Sequence, residues 1–275
     1  MALGLYIAVL LALCGLVYLI AADKAERQSS EAGHLPRIYK PRYNSSELLL
    51  PEWKDIIQAY VPVVAKMPRN RRAELYCLTM RFMNEKKFVG RNGLTVSDRM
   101  AVTIASQACL LLLGREHAFY PTLKEVHVFP RAFSAPGHEN LLIGASFIAG
   151  PVVLSWDDSL LGLYHPHDGH NVVLHEFAHQ LDQETGLYNG TPIFEDYNRY
   201  VIWQKAMENG FRRLKGRVAA NINSVINPYG TVGLEEFFAV STEAFFEIPK
   251  DLYKSYPRVY EELRDYYKLD PFLWA

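Results

Sequence analysis

The sequence predicts an α+β protein, mostly helical, with a small sheet beside one buried helix and a single membrane span ahead of both. Three observations carry this reading. Apolar residues recur at helical spacing in five stretches between Leu50 and Ile248. Strand-like runs crowd into Val126 to Trp156, shortly ahead of the apolar helical stretch Val172–Asp182. Ala2 to Ala22 contains no charged side chain.

That first segment is 21 residues long, enough at helical rise to cross a hydrocarbon core of about 30 Å. A cleavable signal peptide fits less well, because Met1–Leu5 has no Lys or Arg and no clear A-x-A site follows the apolar run. Leu13 stands before Cys14, where a lipoprotein signal wants a small residue. Lys24, Arg27, Arg37, Lys40 and Arg42 all follow the span. The positive-inside rule then makes this a single-pass inner-membrane protein with its folded part in the cytoplasm. Residues 1–22 are the anchor and 23–48 a polar tether with no core of its own, leaving 49–275 as the folded domain.

Net charge is −1, so no basic excess points to nucleic acid. The cysteines Cys14, Cys77 and Cys109 are too few and too apolar in setting for a disulfide framework or a thiolate metal site.

In the domain, Trp53, Ile56, Ile57, Tyr60, Val61 and Val64 predict a helix ending near Met67-Pro68, and Arg71–Lys86 a second one. The basic residues Arg69, Arg71 and Arg72 form a solvated turn between them. A third helix begins after Thr95 or Ser97 as cap and stops at Gly114. Val126–Phe129 alternates as a strand, and Ile143–Ile148 and Pro151–Trp156 are strands joined through Gly150, with a turn at Asp157-Asp158. A strand just before such a helix can border a cleft and pair with an extended peptide, a role that falls on Ala149–Ser155. The loop His165-Pro-His-Asp-Gly-His-Asn171 enters the next helix as a capping turn, with Asp168 as its N-cap. Its histidines are not expected to be ligands, since a fourth protein ligand would close a catalytic metal's open position.

The helix itself reads Val172-Val-Leu-His175-Glu176-Phe-Ala-His179-Gln-Leu-Asp182. In H-E-x-x-H the two histidines share one face and can hold one zinc ion, with the glutamate beside its open position. The apolar residues around them make the helix an interior one, where imidazoles and a carboxylate need partners to offset desolvation. Asp182 shares that face and could accept an imidazole N–H. A third ligand is still required. The metzincin pattern would put Gly and His where Asp182 and Thr185 stand, so that class is excluded. A glutamate from a later helix remains. Gly233–Ile248 is a buried helix closed by Pro249; Glu236 is its best-placed carboxylate, with Glu235 as rival on spacing alone. Glu243, seven residues after Glu236, would support the site from behind or pair with an arginine.

Together with Gly150–Trp156 and Asp168-Gly-x-Asn171-Val-Val, these motifs resemble those of the Mlc titration factor A zinc metallopeptidases, over roughly Leu50 to Leu269. The resemblance implies a gluzincin-like domain similar to the catalytic domain of anthrax lethal factor. It places one zinc per chain on His175, His179 and Glu236, the general base on Glu176, and a phenolic donor to the tetrahedral intermediate on Tyr229. It implies peptide or protein substrates and, as an alternative function, sequestration of a transcription regulator such as Mlc with peptidase activity secondary. A zinc-stabilised but inactive domain is a third reading, disfavoured because base and donor are both present. The expected membrane helix departs from the soluble members of the family and puts the Mlc partnership, though not the chemistry, in question. A loop gating the site would fall at Gly210–Tyr229.

Overall fold

The computed structural model describes residues 37–38, 49–115, 119–134, 141–194 and 196–274. The expected anchor lies outside them, and no described helix is long and apolar enough to cross a membrane. Ten α-helices and five strands are described. The strands are β1 (Arg37–Ile38), β2 (Lys87–Gly90), β3 (Glu125–Phe129), β4 (Gly144–Ser146) and β5 (Val152–Ser155), in the sheet order β1-β2-β3-β5-β4. The two outer pairings are antiparallel and the two inner ones parallel. Arg37 and Ile38, in the stretch read as tether, supply one edge through pairing with Val89 and Gly90.

The first helical stretch breaks in two at Val61-Pro62, as α1 (Pro51–Tyr60) and α2 (Val63–Lys66). Pro51 fits the first turn of α1, where no partner for its missing N–H is needed. Next come α3 (Arg69–Glu85), which the basic cluster opens, and α4 (Asp98–Leu110). Ser97 caps α4, its Oγ accepting from the Met100 N–H at 3.3 Å.

Two sequence expectations fail in the sheet. β3 does not alternate between core and solvent: Val126, His127 and Val128 are all fully buried, because β3 is interior with packing on both faces. Nor is the segment Ala149–Ser155 an edge. β5 lies between β3 and β4, so the edge beside the cleft is β4. Trp156 and Asp157-Asp158, expected as strand end and turn, instead open helix α5 (Trp156–Tyr164), where Ser155 caps and the two aspartates favour the positive end of the dipole.

The helix α6 (Val172–Asp182) carries the H-E-x-x-H sequence. It lies against β4 and β5 on one side and against α8 (Leu234–Glu247) on another. Phe177 anchors it, its ring 5.7 Å from Phe82 and 5.1 Å from Tyr120. The chain connects these two helices through α7 (Tyr197–Ala219), which packs on α8 and seats Trp203 against Phe238. The stretch Gly210–Tyr229 is therefore not a loop in its first half, since it continues α7 to Ala219. The short helices α9 (Pro249–Ser255) and α10 (Pro257–Tyr267) close the chain.

Candidate active site

A different residue from the expected one caps α6. Asn171 accepts the Leu174 N–H at 3.1 Å, whereas Asp168 accepts only the His170 N–H, at 2.9 Å, one turn too early. The Asn171 side chain also donates to Gln107 Oε1 at 2.8 Å and to Glu247 Oε1 at 3.0 Å, and its backbone N–H donates to Glu243 Oε2 at 2.5 Å. One asparagine thus fixes the start of α6 to both carboxylates at the end of α8.

That docking brings His175, His179 and Glu236 to one point. His175 Nε2 is 3.0 Å from Glu236 Oε2 and 3.1 Å from His179 Nε2, and His179 Nε2 is 3.3 Å from Glu236 Oε2. Among the described residues, this is the one group of three or more His, Cys, Asp or Glu able to hold a metal ion. Tetrahedral coordination at roughly 2.0–2.1 Å places ligand atoms about 3.3 Å apart, close to this triangle. The donor set fits as well. His175 Nδ1 lies 2.7 Å from Glu243 Oε1, which fixes the ring proton on that nitrogen and turns a lone pair toward the triangle. A carboxylate and a second imidazole face the same point, and the arrangement is satisfied by a cation. Glu235 is not part of it; its carboxylate folds back toward Gly233.

Asp182 does not serve an imidazole. It is fully buried and accepts the N–H groups of Gly190 (2.9 Å) and Thr191 (2.8 Å), shaping the turn after α6. The buried His179 Nδ1 has no hydrogen-bond partner among the described residues, and the ring packs 5.1 Å from that of Tyr188. His165, His167 and His170 stay outside the triangle. His167 faces the Glu247 carbonyl and His170 faces the Asn227 side chain.

Glu176 sits between the triangle and the edge strand. A Cβ on Gly144 of β4 would stand 2.4 Å from Glu176 Oε1, so only glycine leaves room for the carboxylate there. In the metal-free protein burial pushes the Glu176 carboxyl up to about 8; His175 opposes the rise, and the charges of Glu236 and Glu243 add to it. Burial also works to raise Glu236, but the hydrogen bonds from His175 and His179 outweigh it and hold that carboxyl down at about 2. Two neighbouring carboxylates are therefore driven apart, one toward the proton and one toward the cation. Tyr229 sits in a short 3₁₀ turn, Pro228–Thr231, with its ring 6.0 Å from that of His175. Burial, and then the charges of Glu236 and Glu176, raise its phenol to about 12, so it remains a donor at neutral pH. His175, Glu176 and Tyr229 line a cleft of about 780 Å³ together with Ile143, Gly144 and Leu161.

Spacing and the family resemblance together reach the triangle, and spacing reaches Glu243, but neither reaches Asn171 as the cap or Gly144 as the clearance. The cap was legible in principle, since Asn171 directly precedes the first helical residue. No signal in the sequence marks Gly144, because its partner lies on another element.

A buried His-His-Glu triangle backed by a carboxylate, with a further glutamate beside it in an open cleft, is a candidate metal centre of the kind metallopeptidases use. The chain belongs to the glucose-regulated metallo-peptidase M90 family, whose model matches residues 37–268. An uncharacterised protein of Synechocystis sp. is 35% identical over 237 residues, covering 82% of this chain and 86% of its own length. Mlc titration factor A of Salmonella agona is 24% identical, over 80% of this chain and 86% of its own length. Its Escherichia fergusonii counterpart is also 24% identical, over 81% and 88% respectively.

Proposed function

We propose that the protein is a zinc-dependent peptidase in which His175, His179 and Glu236 hold the ion, Glu176 is the general base and Tyr229 the oxyanion donor. The observation that carries this is the convergence of His175 Nε2, His179 Nε2 and Glu236 Oε2 within 3.3 Å of one another, with Glu243 fixing the His175 tautomer. Two imidazoles and one carboxylate are a donor set that suits zinc and leaves a position open. Zinc bound there would supply Lewis acidity, lowering the pKa of a water and polarising a carbonyl. Glu176 takes the proton of the attacking water and returns it to the leaving amine. Tyr229, at the mouth of the cleft, donates to the oxygen that gains charge as the carbonyl becomes tetrahedral. Gly144 and β4 hold the Glu176 carboxylate from behind.

The test takes the full chain in detergent. Glu176→Gln should keep one zinc per chain and lose peptide hydrolysis by about three orders of magnitude or more, whereas Glu236→Ala should lose the zinc. Retained hydrolysis in the first variant, or undiminished zinc in the second, would sink the assignment.

The name of the relatives supports a second reading, a binder that sequesters an Mlc-like transcription regulator. Capture of such a regulator by Glu176→Gln with its cellular effect intact would favour it. Ala2–Ala22 supports an inner-membrane anchor with the peptidase domain, 49–275, on the cytoplasmic side.

A further inference from the structure

Away from the cleft, the connection from α7 to the turn that carries Tyr229 encloses a pocket of about 250 Å³. Arg213 and Arg217, one helical turn apart on α7, both line it, and with them Asn223, Ser224, Ser255 and the buried Tyr256. The Arg213 guanidinium lies over the Tyr256 ring, 4.8 Å from its centroid. It makes no hydrogen bond or ion pair with a described residue. Arg217 donates through Nε, at 3.0 Å, and through Nη2 to the Asn223 carbonyl, which leaves its Nη1 unengaged. The Ser224 and Tyr256 hydroxyls pair at 2.9 Å.

No carboxylate lines this pocket among the described residues. Several other arginines meet acids, among them Arg71 with Glu74, Arg81 with Glu85, Arg115 with Glu184 and Arg199 with Glu262, while Arg72 and Arg212 donate to neutral oxygens. Arg213 is exposed and Arg217 half-buried, and with no carboxylate in the pocket both present donors that an oxyanion can engage. The plain alternative is that these arginines neutralise carbonyls at the C-terminus of α7. Arg217 instead bonds a carbonyl four residues past the last residue of α7, and Arg213 bonds none.

We propose that this pocket is a binding site for a phosphate group. The Arg213 fork, Arg217 Nη1 and the Ser224 and Ser255 hydroxyls supply donors for its oxygens. The group can arrive as a soluble phosphate or as the headgroup of an anionic lipid. Either would act on the same segment. Ser224 and Val225 border the pocket, and two residues on Asn227 holds the Tyr229 N–H at 2.9 Å and faces His170 Nδ1 at 2.9 Å. A bound phosphate therefore ties down the strap that presents Tyr229 to the cleft. The proposal concerns binding, and holds whether or not the protein cleaves peptides.

The test is hydrogen–deuterium exchange on the full chain in phosphatidylcholine nanodiscs, read over the peptide spanning Asn221–Tyr229. One arm adds inorganic phosphate; the other replaces a fraction of the lipid with phosphatidic acid. Exchange should slow roughly threefold or more in at least one arm. A response to phosphate identifies a soluble source, and a response to phosphatidic acid alone a lipid one. Arg213→Gln should abolish the response, Arg213→Lys should keep part of it, and both should retain the metal content of the wild type. No slowing in either arm, or an unchanged response in Arg213→Gln, would overturn the proposal.

Discussion

Glu243 never reaches the metal position, yet it sets the chemistry of His175 by accepting its Nδ1 proton at 2.7 Å. Removing such a partner typically weakens metal binding about 10- to 100-fold. Glu243→Gln should lower zinc affinity by that order while leaving the fold intact, as a competition titration against a chelating dye would read. An unchanged affinity would mean the tautomer is fixed by something else. Gly144 makes the complementary prediction. In Gly144→Ala the new methyl and the Glu176 carboxylate cannot share their present positions, so zinc should stay bound while kcat falls by about tenfold or more, through displacement of the base. These two residues also mark what a sequence can and cannot reveal of a site. The histidines are legible because helical periodicity puts them on one face; Glu236 and Glu243 share a face in the same way, but spacing leaves Glu235 as a rival that only the family resemblance sets aside. Gly144 and Asn171 act across elements, and nothing in the spacing along the chain encodes which neighbour they meet.

At the level of the element, the α6–α8 pair was legible and the sheet was only half so. Helices α6 and α8 show through because amphipathic runs with polar residues on one stripe have few other readings. Strand β2 directly follows a helical stretch and carries no strand signal of its own; the apolar–polar alternation of Val126–Phe129 suggests a one-sided strand although these four residues are all buried, and β5, buried throughout, has no pattern to distinguish interior from edge. The α6–α8 contact also stores a titration. Burial pushes the Glu247 carboxyl up to about 9 from an ordinary 4.5; the Asn171 hydrogen bond opposes the rise, while the charge of Glu243 adds to it. Between those values the folded protein holds a proton that the unfolded chain releases. This contribution to stability is full below about pH 4.5 and is lost as the pH rises through about 9. Urea unfolding of the metal-free protein should accordingly give a lower midpoint at high pH, and Glu247→Gln should flatten the decline. A Gln variant with the same slope as the wild type would place the proton elsewhere.

On the scale of the whole molecule, the metal and the tertiary structure depend on each other. The triangle draws on two helices that the unfolded chain does not hold together, so binding the ion is linked to folding. Chelation should lower the Tm of the full chain, and the loss should disappear in Glu236→Ala, whose Tm should already match that of the stripped wild type. A chelator-insensitive Tm in the wild type would separate the site from the stability of the domain. The sheet and α7 complete this frame from parts of the chain that carry none of the ligands.

His175 and Glu236 stand 61 positions apart, with the whole of α7 synthesised between them. A ribosome that has made α6 has therefore not yet made a complete site, and a chain cut short before α8 carries two histidines and a base but no third ligand. The third ligand arrives only with α8, which begins at Leu234 of a 275-residue chain. The order of the elements thus leaves the three-residue group incomplete during synthesis until most of the chain has been made.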